Sequence, residues 1–174
     1  MAEYQPSCYQ IRSLYLEIDL DTEQTAVKTV IQVEVDEEEA ARQRVKDLSL
    51  HGKQLDLISI EINGRSLKSH EYRKTEQELT LFAPPKNFKL AIKTTISPSK
   101  NKSLQGLYIS SGSLCTQCEP EGFRRITYFL DRPDILTKYR VKLIGNKSQF
   151  PRLLANGNLI DRGELENNRH WCLW

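Results

Sequence analysis

Histidine and cysteine are scarce in this sequence, and their spacing excludes most of the sites that depend on them. Three histidines and four cysteines occur among 174 residues. A zinc ribbon requires a second CxxC pair or a matching histidine pair, and the sequence places neither beside Cys115 and Cys118. A thioredoxin-like pair would open a helix in a βαβ unit, which the pattern does not predict. We therefore expect no metal ligands in this chain and interpret Cys115 and Cys118 as small, mostly buried thiols.

Long apolar runs and a strong excess of one charge are also missing. No apolar stretch is long enough to predict a transmembrane helix, and residues 1–10 lack the basic and apolar regions of a secretory signal. The sequence holds 25 basic and 23 acidic residues, a net charge of +2. That charge is too small to indicate a nucleic-acid or membrane partner. We expect a cytoplasmic protein, in which a disulfide framework is not required.

The short motifs of the common catalytic classes are absent as well. The sequence has no G-x-S-x-G nucleophile elbow and no glycine-rich phosphate-binding loop. Its nearest approach to a His-Glu-x-x-His zinc helix begins at His70 and Glu71. Lys74 stands where the second histidine must be, and an ammonium group cannot replace a neutral imidazole as a metal ligand. We interpret His70 as a surface residue and expect no catalytic residue in this chain.

Alternation of apolar and polar residues dominates the first part of the chain and predicts β-strands. The alternating or β-rich stretches are residues 14–20, 29–35, 55–62, 78–82 and 88–96. Asn63-Gly64 predicts a tight hairpin, because both residues readily adopt positive φ. Since each sheet has one face to bury, we predict an all-β fold, an antiparallel β-sandwich of two packed layers.

The second part of the chain is less regular. Residues 121–130 lack clean alternation, and we expect one or two short helical turns around residues 121–137. Strands resume at residues 138–145, and the run 167–174 is typical of a further strand. A second Asn-Gly pair, Asn156-Gly157, predicts another hairpin. The charged run 36–44 indicates either one helical turn or an exposed loop.

The segment LCTQCEPEGFRRITYFLDRPD, residues 114–134, concentrates the charged residues. Glu119 and Glu121 flank Pro120, which stiffens the backbone. A rigidly held carboxylate suits a peptide's α-amine, which has a pKa of about 8 and is largely protonated at neutral pH. The simpler interpretation is that both acids pair with Arg124 and Arg125 on the surface. On the residues alone, the second interpretation is the more common one.

The same segment resembles the N-terminal domain of the aminopeptidase N family, the bacterial alanyl aminopeptidases. These zinc-dependent peptidases remove single N-terminal residues. The motif is Thr116-Gln117-x-Glu119, followed by Arg124, Arg125, Asp131 and Pro133. The likeness extends to YLEIDLDTEQTAVKT, ISPSKNKSLQGLY and NGNLIDRGELENNRHW, and so covers essentially the whole chain.

The resemblance implies that residues 1–174 form a single saddle-like N-terminal β domain of a larger, multidomain aminopeptidase. A thermolysin-like catalytic domain is expected beyond Trp174, and it would carry the zinc and the general base. By position, Glu119 would help to bind the substrate's α-ammonium group, and Gln117 would line the pocket for the first side chain. The implied partners are the N-terminus of a peptide substrate and the enzyme's own catalytic domain. Zinc is thus expected in the full-length enzyme, bound outside this chain, and the 174 residues by themselves are expected to be inactive.

Two alternatives accompany this hypothesis. The architecture also serves as a non-catalytic scaffold, in which Trp171–Trp174 would add a strand to the open edge of a partner's sheet. A zinc motif further along the protein would favour the enzyme, and a native stop after Trp174 would favour the interaction module. A related peptidase with an added epoxide-opening activity is the other alternative, although the sequence of residues 118–134 favours the alanyl type. We interpret Arg124, Arg125 and Asp131 as a structural ion-pair network.

Overall fold

The computed structural model describes residues 4–174, which form thirteen strands, one α-helix and two 3₁₀ helices. The strands are β1 (Tyr9–Asp19), β2 (Thr25–Val35), β3 (Leu48–His51), β4 (Asp56–Ile62), β5 (Arg65–Ser66), β6 (Tyr72–Lys74), β7 (Glu78–Leu81), β8 (Asn87–Ile96), β9 (Gly106–Ser110), β10 (Ser113–Gln117), β11 (Lys138–Asn146), β12 (Asp161–Leu165) and β13 (Arg169–Leu173). The helix α1 spans Glu37–Gln43, and the 3₁₀ helices span Pro98–Lys100 and Phe123–Arg125. The all-β prediction is confirmed.

Eight strands form the main sheet, in the order β12-β13-β11-β1-β2-β8-β4-β5. Its neighbours are antiparallel except β1 and β11, which pair in parallel with Leu16 opposite Val141. This pair differs from the expected antiparallel order, because β11 returns to β1 only after a long crossover through the rest of the domain, as a parallel pair requires. A three-stranded sheet, β3-β7-β6, and the hairpin β9-β10 complete the fold.

The main sheet and the three-stranded sheet share one hydrophobic core. Ile31 on β2 and Leu90 on β8 are completely buried from the main sheet, and Leu50 and Leu79 are completely buried from the smaller one. In each strand the buried residues alternate with more exposed ones, because successive side chains point to opposite faces. The core therefore lies between the two layers that the alternation predicts.

A crossing segment, residues 122–131, links these layers without being a regular strand. Thr127 Oγ1 lies 2.6 Å from Thr29 Oγ1 on β2, and both side chains are buried. Phe129 exchanges backbone hydrogen bonds of 2.8 and 3.0 Å with His51 at the end of β3. The expected short helical turn appears within this segment as the 3₁₀ helix Phe123–Arg125. The crossing segment is thus held by both sheets.

The two Asn-Gly pairs have different outcomes. Asn63 and Gly64 have φ of 51° and 82° and connect β4 to β5, so this hairpin prediction is confirmed. The hairpin expected at Asn156-Gly157 is wrong, because that pair lies in an irregular stretch before β12. The chain instead reverses at Asn167 and Asn168, which adopt φ of 58° and 56° between β12 and β13. Asparagine tolerates positive φ better than most residues other than glycine, so the strand pairing decides which pair becomes the turn.

The strand expected near the C-terminal end is present as β13, and it is an interior strand. It pairs with β11 on one side and with β12 on the other. The alternative in which residues 171–174 add to a partner's sheet is therefore wrong, because both hydrogen-bonding edges of β13 are occupied.

The charged run 36–44 is both helical and exposed. Helix α1 begins after Asp36, whose carboxylate accepts the N–H of Glu39 at 3.0 Å, and it buries no residue.

Within residues 4–174, no helix has the length and apolar character of a membrane span.

Candidate functional site

The Thr-Gln-x-Glu motif lies where the β9-β10 hairpin meets the crossing segment. Gln117 is the last residue of β10 and pairs with Gly106 of β9. The Glu119–Pro120 peptide bond that follows is cis. The chain then returns tightly, and the N–H of Gly122 donates to the carbonyl of Cys118 at 2.8 Å. The motif is thereby anchored on both sides by backbone hydrogen bonds.

Gln117 and Glu119 are both exposed, and they contact each other through the backbone of Glu119. The Gln117 amide Nε2 donates to the Glu119 carbonyl oxygen at 2.7 Å. The ion pairs formed among residues 4–174 do not include the Glu119 carboxylate. The backbone at Glu119 is therefore held in place while its charged group keeps its capacity to accept hydrogen bonds from a ligand.

The surface-pairing interpretation holds for Glu121 and not for Glu119. Arg124 Nη2 lies 3.3 Å from Glu121 Oε1, and the Glu121 side chain is 69% exposed. Arg125 pairs with neither acid, since its guanidinium donates to the side-chain oxygens of Gln105 and Gln54. The expected ion-pair network of Arg124, Arg125 and Asp131 is correct for Arg124 and Asp131 and wrong for Arg125, whose partners are neutral amides.

Arg124 and Asp131 join the two ends of the crossing segment. The backbone N–H and the Nε of Arg124 both donate to Asp131 Oδ2, at 3.1 and 2.9 Å. Arg124 Nη2 also donates to the Asp131 carbonyl oxygen at 2.9 Å. Their side chains are only 16% and 15% exposed. A charge-assisted pair with several hydrogen bonds and little water around it is stronger than an exposed ion pair.

A cleft of about 780 Å³ opens beside the motif, towards β1, β11 and the stretch 149–156. Its charged lining includes Glu119 and Asp131, and its aromatic lining includes Phe123 and Tyr139. These two rings pack edge to face with centroids 5.8 Å apart. Gln117 is not among the residues that line the cleft. The arrangement can hold a cationic group at Glu119 next to an apolar wall.

Sequence reasoning missed Tyr139 and assigned Asp131 only a structural role. Tyr139 follows the crossing segment by several residues, and no local motif marks it. Burial is the main cause that raises the pKa of Tyr139 to about 12, with the Asp131 carboxylate adding to it. The tyrosine is therefore a neutral hydroxyl at physiological pH, and it adds no charge to the cleft.

The cysteines do not form a reactive or metal-binding group. All four are free thiols. Cys115 and Cys118, which were predicted to be mostly buried, are each only partly buried. Burial chiefly, and the Asp131 and Glu119 carboxylates in addition, raise the pKa of Cys118. A neutral thiol is a poor nucleophile and a poor ligand. Within the described residues no group of three or more His, Cys, Asp or Glu side chains is arranged to hold a metal ion, so a zinc site does not fit residues 4–174.

The comparison with protein families identifies the chain. The model of the peptidase M1 N-terminal domain matches residues 5–174. The chain belongs to this family. The relatives of this M1 N-terminal domain include the aminopeptidase N of Escherichia coli, 43% identical over 99% of the chain, and that of Caulobacter vibrioides, 41% identical over 100% of it. The matches cover 19% and 20% of those relatives, so the chain spans about a fifth of their length.

Solved structures agree with the family. Legionella pneumophila aminopeptidase A, solved in complex with aspartic acid, superposes with a TM-score of 0.90 at 31% identity over 99% of this chain and 20% of that one. A mutant M1 zinc metallopeptidase from Deinococcus radiodurans, bound to a Tyr-Ser-Ala substrate, has a TM-score of 0.75 at 14% identity. It covers 95% of this chain and 38% of that one, and at this identity it supports the fold alone.

Proposed function

We propose that this chain is the substrate-anchoring N-terminal domain of a zinc aminopeptidase that removes single N-terminal residues from peptides. Membership of the M1 N-terminal domain family supports the class of enzyme. The relatives at 43% and 41% identity are each an aminopeptidase N, and the likeness covers essentially the whole chain. Because the chain spans about a fifth of those proteins, the zinc and the groups that activate water belong to residues outside it in this proposal.

The Glu119 carboxylate, which has no ion-pair partner among residues 4–174, is the observation that carries the proposal. It is exposed, it lines the cleft, and it belongs to none of the ion pairs formed within residues 4–174. A protonated α-amine would form charge-assisted hydrogen bonds with it, which a peptide nitrogen in the middle of a chain cannot form. Glu119 in this role selects chain ends and leaves the hydrolytic chemistry to the catalytic domain.

We further infer that Gln117 belongs to the same binding region and contributes to the pocket for the first side chain after it rotates, because in its present conformation it does not line the cleft. Its amide lies on the Glu119 carbonyl at 2.7 Å, so it also fixes the backbone that presents the carboxylate. A rotation of this exposed side chain would bring the amide towards a ligand, at the loss of one exposed hydrogen bond.

The open cleft also fits a surface that packs on the catalytic domain. Leu16, Ile18 and Leu143 line its floor, and these apolar side chains are buried or nearly so. Leu154, which also lines the cleft and is 75% exposed, continues this apolar surface outwards. A concave apolar surface of this kind is typical of an interface between domains of one protein.

The decisive experiment compares Glu119→Gln with Glu121→Gln in the full-length protein. Glu119→Gln keeps the shape of the side chain and removes its charge. We expect it to raise KM for aminoacyl substrates by roughly 10- to 150-fold, the equivalent of a hydrogen bond to a charged group of about 1.5–3 kcal/mol. Glu121→Gln removes an exposed ion pair in the same turn and is expected to change KM less than threefold.

Substrates with a blocked α-amine supply the second measurement. The wild-type enzyme is expected to prefer free over acetylated N-termini, and Glu119→Gln is expected to reduce that preference. An unchanged KM together with an unchanged preference in Glu119→Gln would refute the anchoring role. A full-length protein with no peptidase activity would refute the proposed enzyme and leave the non-catalytic scaffold.

A further inference from the structure

His51, the last residue of β3, is a partly buried histidine that the proposed function does not use. Its Nδ1 accepts the backbone N–H of Asp131 at 3.1 Å. Its own N–H and C=O pair with Phe129 at 2.8 and 3.0 Å. Because Nδ1 accepts a hydrogen bond, this contact requires the neutral ring with its proton on Nε2.

Hydrogen bonds, together with short stretches of backbone between them, connect this histidine to the turn that carries Glu119. Asp131, held by His51, receives the N–H and Nε of Arg124 at 3.1 and 2.9 Å. The carbonyl of Arg124 accepts the N–H of Lys53 at 2.9 Å, two residues after His51. Gly122, two residues before Arg124, donates to Cys118 at 2.8 Å. The position of the motif turn therefore depends on how the crossing segment docks against β3.

We propose that His51 is a positioning residue for Glu119, and that its neutral ring holds the crossing segment through Asp131 and Arg124 so that the Glu119 carboxylate faces the cleft. Protonation of Nδ1 turns this acceptor into a donor that faces the Asp131 N–H, and the contact is lost. The inference deepens the proposed function and rests on it for its consequence in catalysis, whereas the coupling between His51 and the motif turn is a property of the fold.

The charges around His51 set the direction of its response to pH. Burial first, and Arg124 second, lower the pKa of His51, while the carboxylates of Asp131, Glu78 and Glu121 oppose them. The folded state therefore favours the neutral ring. Since the unfolded histidine takes up its proton at about pH 6.5, stability is full above that pH and is lost as the pH falls through the lowered folded pKa. The switch is thus confined to acidic conditions.

Two substitutions separate the hydrogen bond from the titration. His51→Asn places Oδ1 near the position of Nδ1 and supplies an acceptor that does not titrate, whereas His51→Leu keeps bulk and removes the acceptor. His70→Asn is the control, because His70 is an exposed histidine in a turn away from the motif. All three would be made in the full-length protein, with kcat and KM for an aminoacyl substrate measured between about pH 5 and 8.

We expect His51→Leu to raise KM about three- to tenfold at neutral pH with a smaller change in kcat, because a binding group is displaced. The KM of the wild type is expected to rise below about pH 6.5 more steeply than that of His51→Asn. His70→Asn should follow the wild type throughout. Identical pH profiles of KM for the wild type and His51→Asn would overturn the proposal, as would a neutral-pH KM for His51→Leu equal to that of the wild type.

The reactivity of Cys118 supplies a readout that does not need activity. Cys118 immediately precedes Glu119, its backbone carbonyl accepts the Gly122 N–H, and its side chain is partly buried. Modification by a pyridyl disulfide, located by peptide mass, should increase at Cys118 relative to Cys115 at acidic pH in the wild type and not in His51→Asn. Equal modification in both proteins would overturn the coupling. A wild-type protein without peptidase activity, or Glu119→Gln with unchanged KM, would instead refute the proposed function, and the Cys118 measurement would still decide the role of His51.

Discussion

Two glutamates two residues apart, Glu119 and Glu121, have different environments because of one arginine. Arg124 lies within 3.3 Å of Glu121 and 2.9 Å of Asp131. Its guanidinium is turned towards these two acids, and Glu119 stays outside the ion pairs of residues 4–174. That the Glu119 carboxylate has no ion-pair partner among the described residues results from the geometry of its neighbours, which local sequence does not reveal.

Gly122 allows this geometry, and its substitution is a test at the scale of one residue. A Cβ at position 122 would lie 2.8 Å from Cys118 Cα and closer still to the Gln117 carbonyl oxygen. Gly122 has φ of −87°, so alanine is excluded by contact and not by backbone conformation. We expect Gly122→Ala to lower the free energy of unfolding by about 1–3 kcal/mol, measured by urea denaturation.

The control for this prediction is Gly145→Ala on β11. There the nearest atom to a new Cβ belongs to the Phe150 ring at 3.0 Å, and a side chain moves more easily than backbone. If Gly122→Ala lowers the free energy of unfolding no more than Gly145→Ala does, the motif turn is less tightly packed than its geometry indicates.

At the scale of elements, helix α1 is stabilised more by its ends than by packing, since only Ala40 packs, partly buried, against the core. It buries no residue, three glutamates occupy its first turn, and Asp36 caps it through the N–H of Glu39. Carboxylates near the N-terminus interact favourably with the helix dipole. A short exposed helix of this kind depends strongly on its cap.

Removal of the cap tests this dependence. Asp36→Ala is expected to cost about 0.5–2 kcal/mol of stability, whereas Asp36→Ser, which retains a capping oxygen, should cost only a few tenths, roughly the difference among good caps. Hydrogen exchange of the Glu39 amide measures the local effect, and urea denaturation measures the global one. If the two variants exchange equally fast, the capping interaction does not stabilise α1.

At the same scale, strand pairing has more influence than turn chemistry on where a hairpin forms. Asn63-Gly64 forms its hairpin because β4 and β5 flank it directly and pair Ile62 with Arg65. Asn156-Gly157 has the same intrinsic preference, yet β12 begins only at Asp161 and the reversal occurs at Asn167-Asn168. The pair predicts that the chain bends, and the register of the strands determines where a hairpin closes.

At the scale of the whole molecule, stability depends on the core shared by the two sheets. Leu90 lies on β8, between β2 and β4, and is completely buried. Leu90→Ala is expected to lower the free energy of unfolding by about 2–5 kcal/mol, since it removes buried methyl groups and leaves a cavity. Leu136→Ala is the matched control, because that leucine is 90% exposed and its loss should cost little. Urea denaturation of both variants measures the difference, and equal losses would contradict a single shared core.

The candidate cleft also belongs to this largest scale. It is built from β1, the motif, the crossing segment, β11 and residues 149–156. Because these parts are distant in sequence, no spacing rule predicts their association. The motif itself was predicted from its resemblance to a family, and the comparisons confirm that family. The individual roles of Glu119 and Gln117 stay predictions that the experiments above address.

The amino-acid sequence by itself indicated the longer strands and the all-β class, and its resemblance to known proteins indicated the family. Period-two alternation depends only on the pleat of a strand, in which successive side chains face opposite sides. It can therefore be recognised in the sequence before any tertiary contact is known. The tertiary structure alone decided which acids are paired, that β1 and β11 run in parallel, and that His51 contacts Asp131 from eighty positions away along the chain. Such contacts depend on how the elements pack against one another. Packing brings together residues that are far apart in sequence, and their spacing does not indicate that they will be close.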